Sequence, residues 1–458
     1  MKIQVNFIFL SLSLCFFPNY AQGQPADFPG KKWLQYVIPE EAGFSSEKLK
    51  IARKAFEASE AASVIVSHEG RILVSWGETT RRFLCASVRK SFLSALYGIY
   101  VDRGKINLNQ TLEALKIDDI QGLTGAEKQA KILDLLTARS GIYLPAAYSP
   151  RNMEKNLPPR GSHAPGTFWY YNNWDFNTLG TIFEQKTGKG IFEAFKDDLA
   201  DPLQMEDFAI EHTHYRFEPE KSKHPAYLFR MTARDMARFG LLYLNGGRWR
   251  EKQIISTGWI KESTQPFTND LGNFDDRGSY GYLWWVSDGI KGQPMYYASG
   301  SGGQRICVLP QAKLVFVHTV NTYDNNEVSE QQVEQLLEFI LDAKTAEPQS
   351  KPRLVEYNLP PKPKPEAVKV DDGVLNKFQG QYRHRFLGEM TMTTRENCLI
   401  MESGVGRFKL LPIGESQFFP EDVETPIFFE KAEADDKRYT VISVLDEKRK
   451  VERVVFYY

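Results

Sequence analysis

The sequence predicts an α+β protein carrying a small all-β unit, and three features support that expectation. Strand-type runs occur early (63–76) and again late (282–320), while the chain between them follows helical periods. A segment rich in proline and lysine, residues 346–370, then introduces a change of character. Beyond it, residues 371–458 hold short alternating segments separated by turn residues, which predict an antiparallel β barrel or sandwich. With 458 residues, 42% of them hydrophobic, the chain can bury a large core and should divide into more than one domain.

Taken in order, residues 1–23 read as a cleavable secretory signal. Lys2 supplies the positive start, Phe7 to Phe17 the apolar run, and Ala21-Gln22-Gly23 a small-x-small cleavage site. The expectation is an exported protein, periplasmic or extracellular. A lipoprotein anchored through Cys15 ranks behind, because Leu14 is bulkier than the usual Gly or Ala at that place. No later run is long enough for a stable membrane span. Cys85, Cys307 and Cys398 are widely spaced and odd in number, so neither a disulfide scaffold nor a metal site is predicted. A formal charge of −1 without a basic patch gives no support to nucleic-acid binding.

The first domain is expected over residues 24–345. Ser45 reads as an N-cap for a helix through Leu49, Ala52 and Phe56. Ser63 to His68 and Arg71 to Trp76 form a hairpin around Glu69-Gly70. Next comes Phe83 to Gly104, where Ser87 and Lys90 stand three residues apart at the start of a helix with Phe92, Leu93, Leu96 and Ile99 on its apolar stripe. Further helices are predicted over Ile132–Ala138, Trp174–Thr187, Met236–Leu244 and Glu327–Ala343, and strands over Tyr282–Val286, Gln304–Leu309 and Leu314–Val320. The stretch 346–370 should be a semi-rigid spacer.

The chemistry centres on Ser87 and Lys90. Residues at i and i+3 share a helix face, so an amine can touch the hydroxyl and activate a nucleophile that is otherwise weak. The pattern is short, and Ser45-Ser46-Glu47-Lys48 repeats it in an ordinary helix start. Two other stretches add weight. In Pro165-Gly166-Thr167-Phe168-Trp169-Tyr170-Tyr171-Asn172-Asn173 a Tyr-x-Asn pattern can be drawn from Tyr171 and Asn173, although Tyr170 and Asn172 fit it too. A lysine ammonium nearby would lower the phenol's pKa and fit it to move a proton. Ala298-Ser299-Gly300-Ser301-Gly302-Gly303 precedes an apolar strand, and its glycines allow close backbone approach to a ligand. Each stretch alone also fits plain structure, an aromatic packed loop and a glycine turn respectively.

In this order the three motifs resemble the serine β-lactamase and penicillin-binding-protein family, closest to its class C-like esterases and 6-aminohexanoate-dimer hydrolases. Leu135 to Gly141, Pro202 to Met205, Thr232 to Asp235 and Tyr280 to Trp285 are also similar to stretches of that family. The resemblance implies a β-lactamase/transpeptidase-like fold, an antiparallel sheet flanked by helices with an inserted helical lobe. It implies Ser87 as acylated nucleophile, Lys90 as its activator, Tyr171 as general base and Asn173 as a polar neighbour. Ser299, Gly300 and Ser301 would line the substrate and oxyanion site, with Ser301 giving a backbone N–H. No cofactor or metal is implied, and the partner is a small-molecule or peptide-like ester or amide. Ala298 departs from the family's Lys or His, which favours ester or amide hydrolysis over efficient β-lactam turnover. A D-amino-acid peptidase and a silent ligand-binding sensor are the alternatives.

Overall fold

The structure, a computed structural model, describes residues 28–458 except 269–270, 273–276, 325, 360–364, 385–387, 405, 421–426, 432–438, 444–451 and 455–458. The expected signal at 1–23 lies outside the described residues. A nine-stranded sheet is assembled from both ends of the first domain. Its strands are β1 (Leu34–Tyr36), β2 (Ala61–His68), β3 (Arg71–Gly77), β4 (Ser279–Tyr280), β5 (Trp285–Ile290), β6 (Gln293–Gly300), β7 (Gln304–Leu309), β8 (Leu314–Val320) and β9 (Leu354–Glu356). They run in the order β9-β1-β3-β2-β8-β7-β6-β5-β4. β1 and β3 pair in parallel and the other neighbours antiparallel, so the sheet is mixed rather than purely antiparallel.

Local chemistry explains the elements. Glu69 and Gly70 both take positive φ, 51° and 80°, as a two-residue hairpin of matching twist requires. The helix α1 (Ser46–Glu57) begins where the Ser45 side chain accepts from the Lys48 N–H at 3.3 Å, so this copy of Ser-x-x-Lys is a cap. The helix α2 (Arg89–Asp102) has more than one buried stripe: it is covered on all sides, with even Lys90, Ser91 and Ser94 inside. Phe92 explains why: its ring meets those of Phe195, Phe229 and Phe239 at 5.2, 5.4 and 4.8 Å. Helix α3 (Asn173–Thr187) ends at Gly188 with φ +68°. Helix α4 (Ala233–Leu244) lies so close to the sheet that a side chain at Gly240 would meet Val315 at 2.5 Å. Its start does more than cap. Arg234 grips Asp207 with two nitrogens at 2.5 and 2.6 Å, and Asp235 accepts the N–H groups of Glu206 and Asp207 at 2.8 and 2.9 Å. Helix α5 (Glu330–Asp342) packs beside α1.

Two expectations change. The stretch expected as a spacer contributes β9, held by the Arg353–Glu41 ion pair at 2.5 Å and by Tyr357, whose hydroxyl meets Ser75 and Thr79 at 2.7 and 2.6 Å. The C-terminal unit is one eight-stranded antiparallel sheet, Gly380–His384 to Glu452–Val454, paired in chain order; among the described residues nothing closes it into a barrel. Its apolar face shares a core with Leu84, Ala226 and Leu228 of the first domain. Among the described residues no helix is long and apolar enough to cross a membrane.

His318 on β8 is wholly buried, and burial pushes its pKa from 6.5 down to about 4. Between those values the unfolded chain binds the extra proton, so acid favours unfolding. Stability should therefore fall as pH drops from 6.5 to 4, with this residue adding a slope of about 1.4 kcal/mol per pH unit. Urea titrations of wild type and His318→Gln across that range check this; the variant's slope should be shallower.

Candidate active site

Ser87 is delivered by a backbone bent in two steps. The strand Phe83–Leu84 pairs with Ala226–Met231, and Cys85 extends the contact by donating its N–H to Phe229 O at 3.1 Å. Ala86 then takes φ +47°, a left-handed conformation costing a non-glycine residue about 1 kcal/mol. This kink places Ser87 on a 3-10 turn (Ala86–Val88) directly ahead of α2. Lys90 follows in the first turn of the helix. Its Nζ lies 2.6 Å from Ser87 Oγ and 2.8 Å from the Tyr171 hydroxyl.

The electrostatics reverse one expectation. Lys90 is 2% exposed, and burial, reinforced by the Arg89 guanidinium, lowers its pKa well below 10.5. The amine is driven toward its neutral form. Tyr171 is therefore not beside a fixed ammonium. Burial raises its phenol above the usual value, against the opposing pull of the Ser87 hydrogen bond and the charges of Arg89 and Arg277. Of the two groups touching Ser87, the lysine is the one whose burial favours the uncharged, proton-accepting form.

Tyr171 is set by its loop. The Tyr170 N–H donates to Ala138 O at 2.9 Å, and Gly141 leaves room for His163 O, which a side chain would meet at 2.6 Å. Ser140 donates to Asp175 of α3 at 2.6 Å. Trp285 stacks on the Tyr171 ring at 5.5 Å. These contacts account for the Leu135–Gly141 and Tyr280–Trp285 stretches. They also decide the Tyr-x-Asn register. Asn172 caps α3, accepting from Trp174 N–H at 3.1 Å, and Tyr170 donates to Met153 O at 3.3 Å. Tyr170, Tyr171 and Asn173 all line the cleft, but of the two phenols it is Tyr171 that meets Lys90 Nζ. Asn173 donates to Tyr148 O at 2.9 Å and leaves its Oδ1 buried without a hydrogen-bond partner.

The third motif closes the site. β6 ends in Ser299-Gly300, and a side chain at Gly300 would stand 2.6 Å from Cys85 O, so the strand is pressed against the nucleophile turn. Ser301 follows in the turn. Ala298 is buried opposite Ile306. Two residues missed in the sequence bring positive charge here. Arg305, in register across from Ser299, and Arg277 both donate to Ser299 Oγ, the latter at 3.1 Å. Both pair with Glu330, Arg277 at 2.8 Å. The hairpin register from Gly302-Gly303 could have revealed Arg305; Arg277 sits in a loop without periodicity. Ser87, Tyr171, Asn173, Ser299, Gly300 and Ser301 all line one cleft of about 880 Å³. Among the described residues no cluster of His, Cys, Asp or Glu is arranged to hold a metal ion.

Because the atom facing Gly300 is a backbone carbonyl, Gly300→Val cannot be accommodated by a side-chain shift. It should destabilise the fold by about 1–3 kcal/mol, read from the midpoint of urea unfolding. A variant as stable as wild type would contradict the close approach.

The profile of the Beta-lactamase family matches residues 52–339. Protein flp of Staphylococcus aureus (strain MW2) is 24% identical over 187 residues, and the chain spans only 36% of that relative's length, using 36% of its own. A Bacillus anthracis structure described as a 6-aminohexanoate-dimer hydrolase superposes with a TM-score of 0.51 at 21% identity, covering 63% of this chain and 80% of that one. A Bacteroides dorei DSM 17855 structure described as a β-lactamase gives 0.52 at 15% identity, covering 66% and 100%. At these identities the structural likeness concerns the fold. The family match takes in Ser87, Lys90, Tyr171 and the third motif together, and the chain belongs to the Beta-lactamase family of serine hydrolases acting on amide or ester bonds.

Proposed function

We propose that the protein is an exported serine hydrolase that cleaves an ester or amide through an acyl-enzyme on Ser87. The observation that carries this reading is one buried amine, that of Lys90, within hydrogen-bond distance of both the Ser87 and Tyr171 hydroxyls. Neutral Lys90 accepts the Ser87 proton as Oγ attacks the carbonyl carbon. The carbonyl oxygen takes up negative charge facing the backbone N–H groups of Ser87 and Ser301. The proton passes from Lys90, directly or through Tyr171, to the leaving oxygen or nitrogen, and that bond breaks. Water then attacks the acyl carbon as Lys90 takes its proton, the bond from that carbon to Oγ breaks, and Lys90 returns the proton to Ser87 Oγ, releasing the acid. Asn173 lines the cleft, and its buried Oδ1, without a hydrogen-bond partner among the described residues, would accept from substrate once the side chain is reached. The apolar run at residues 1–23 supports export. Buried Ala298 supports a preference for simple acyl esters or amides over β-lactams.

Mixing the protein with an activated short-chain ester should give a transient acyl adduct in intact mass spectra, absent in Ser87→Ala. That substitution should lower turnover by about three orders of magnitude or more. Equal hydrolysis by both proteins, with no adduct, would favour a ligand-binding sensor on the same fold. D-Ala-D-Ala peptides assayed in parallel with the simple acyl ester separate a D-amino-acid peptidase from an esterase.

The depressed pKa of Lys90 fixes the pH dependence. The competent form is the deprotonated amine, so kcat/KM should rise with pH through an ascending limb lying well below 10.5. A limb near 10.5 in the pH–rate profile would mean that Lys90 is charged at neutrality and is not the base.

A further inference from the structure

The C-terminal sheet backs a residue that lines the same cleft. Arg216 ends the strand Thr213–Arg216, which pairs with Ala226–Met231 and so with the strand leading to Ser87. Its guanidinium lines the cleft with Ser87. The rear of that guanidinium rests on the C-terminal sheet: a side chain at Gly404, in the turn after Cys398–Ser403, would stand 3.0 Å from Arg216 Cζ and Nη1. The Tyr148 ring lies 5.5 Å to one side. Nearby, Arg230 sits 4.5 Å over the ring of Phe408, locking the two units together.

The cations lining the cleft differ in what occupies them. Arg305 and Arg277 donate to Ser299 and pair with Glu330. Lys221 pairs with Glu154 and Glu218 at 2.8 and 2.9 Å. Arg216 uses only Nε, 2.6 Å from Glu218, and its two terminal nitrogens have no hydrogen-bond partner among the described residues. Two parallel N–H donors on a planar fork match a carboxylate.

We infer that Arg216, held in place by the Gly404 turn of the C-terminal sheet, is a specificity-determining residue that selects substrates bearing a carboxylate away from the scissile bond. This rests on the hydrolase reading above. The appended sheet then acts directly in recognition. Its turn is the back wall that keeps the guanidinium pointed into the cleft, so the two units form one substrate site.

The test uses the full chain and two nitrophenyl esters of matched length, the glutaric acid monoester and the valeric acid ester. Wild type should prefer the carboxylated ester, and the ratio of the two kcat/KM values should fall about tenfold in Arg216→Met, the size of one charge-assisted pair. Arg216→Lys should recover part of the ratio. Gly404→Val, with Gly404→Ala as a milder step, should lower it in proportion to the bulk that displaces the guanidinium. An unchanged ratio in Arg216→Met overturns the proposed role of Arg216; an unchanged ratio in both Gly404 variants overturns the part given to the sheet. Binding provides a readout independent of turnover. In Ser87→Ala, glutaric acid monoamide should raise the melting temperature, valeramide should not, and adding Arg216→Met should abolish the difference. Ester turnover lost with this binding difference intact would count against the hydrolase reading alone; no binding difference would count against Arg216.

Discussion

The active-site arrangement depends on an amine kept out of water. Lys90 is buried with no carboxylate paired to it among the described residues; its neighbours are two hydroxyls and the rings of Tyr171 and Phe176, 4.7 and 4.8 Å from Nζ. Charging it there carries a desolvation penalty that ring faces only partly offset. The fold resolves this by lowering the pKa instead, and a neutral amine beside a serine is what proton abstraction needs. An α2 with one exposed face could not produce this state. The helix must be enclosed on every side, which explains its aromatic surroundings and the tight contact of Gly98, where a side chain would meet Trp259 at 2.5 Å.

Enclosing the amine still leaves Ser87 open to a cleft, and the third motif serves both needs. Gly300 lets β6 run against the Cys85 carbonyl, fixing the turn that carries Ser87 from the cleft side. Ala298 brings no charge, yet this edge is not without positive charge. Arg277 and Arg305 converge on Ser299, while Glu330 joins the two guanidinium groups and reduces their repulsion. That charge holds Ser299 rather than projecting freely.

What the sequence made legible follows from the range of the interactions involved. Ser87 with Lys90, the Ser45 cap, the Glu69-Gly70 turn and the strands Gln304–Leu309 and Leu314–Val320 are local, and each appears where the pattern places it. Tertiary override accounts for the differences. Tyr282 to Trp284 reads as strand by pattern, but Leu283 takes φ +62° and its carbonyl accepts from Ser91 of α2 at 2.8 Å, so β5 begins at Trp285. Polar and proline-rich 346–370 reads as spacer, yet the side chains of Arg353 and Tyr357 find partners on the main sheet. In the site, the direction of the Tyr171 shift comes out opposite to expectation because local sequence shows charge proximity but not burial. Arg305 is visible only through the hairpin register, and Arg277 and Glu330 not at all, because their meeting point is set by a long loop and tertiary packing.

The small sheet formed by Phe83–Leu84, Ala226–Met231 and Thr213–Arg216 links these parts. One strand leads to Ser87, another ends in Arg216, and Leu84 and Leu228 bury into the core of the C-terminal sheet. Neither the nucleophile turn nor the cleft rim therefore rests on the first domain alone. Leu84, three residues before Ser87, shares that core with Phe408, and buried side chains of that size are worth about 1.5–3 kcal/mol each. The appended sheet thus has a physical reason to stay in contact with the first domain: it shares a core with the strand that leads to Ser87.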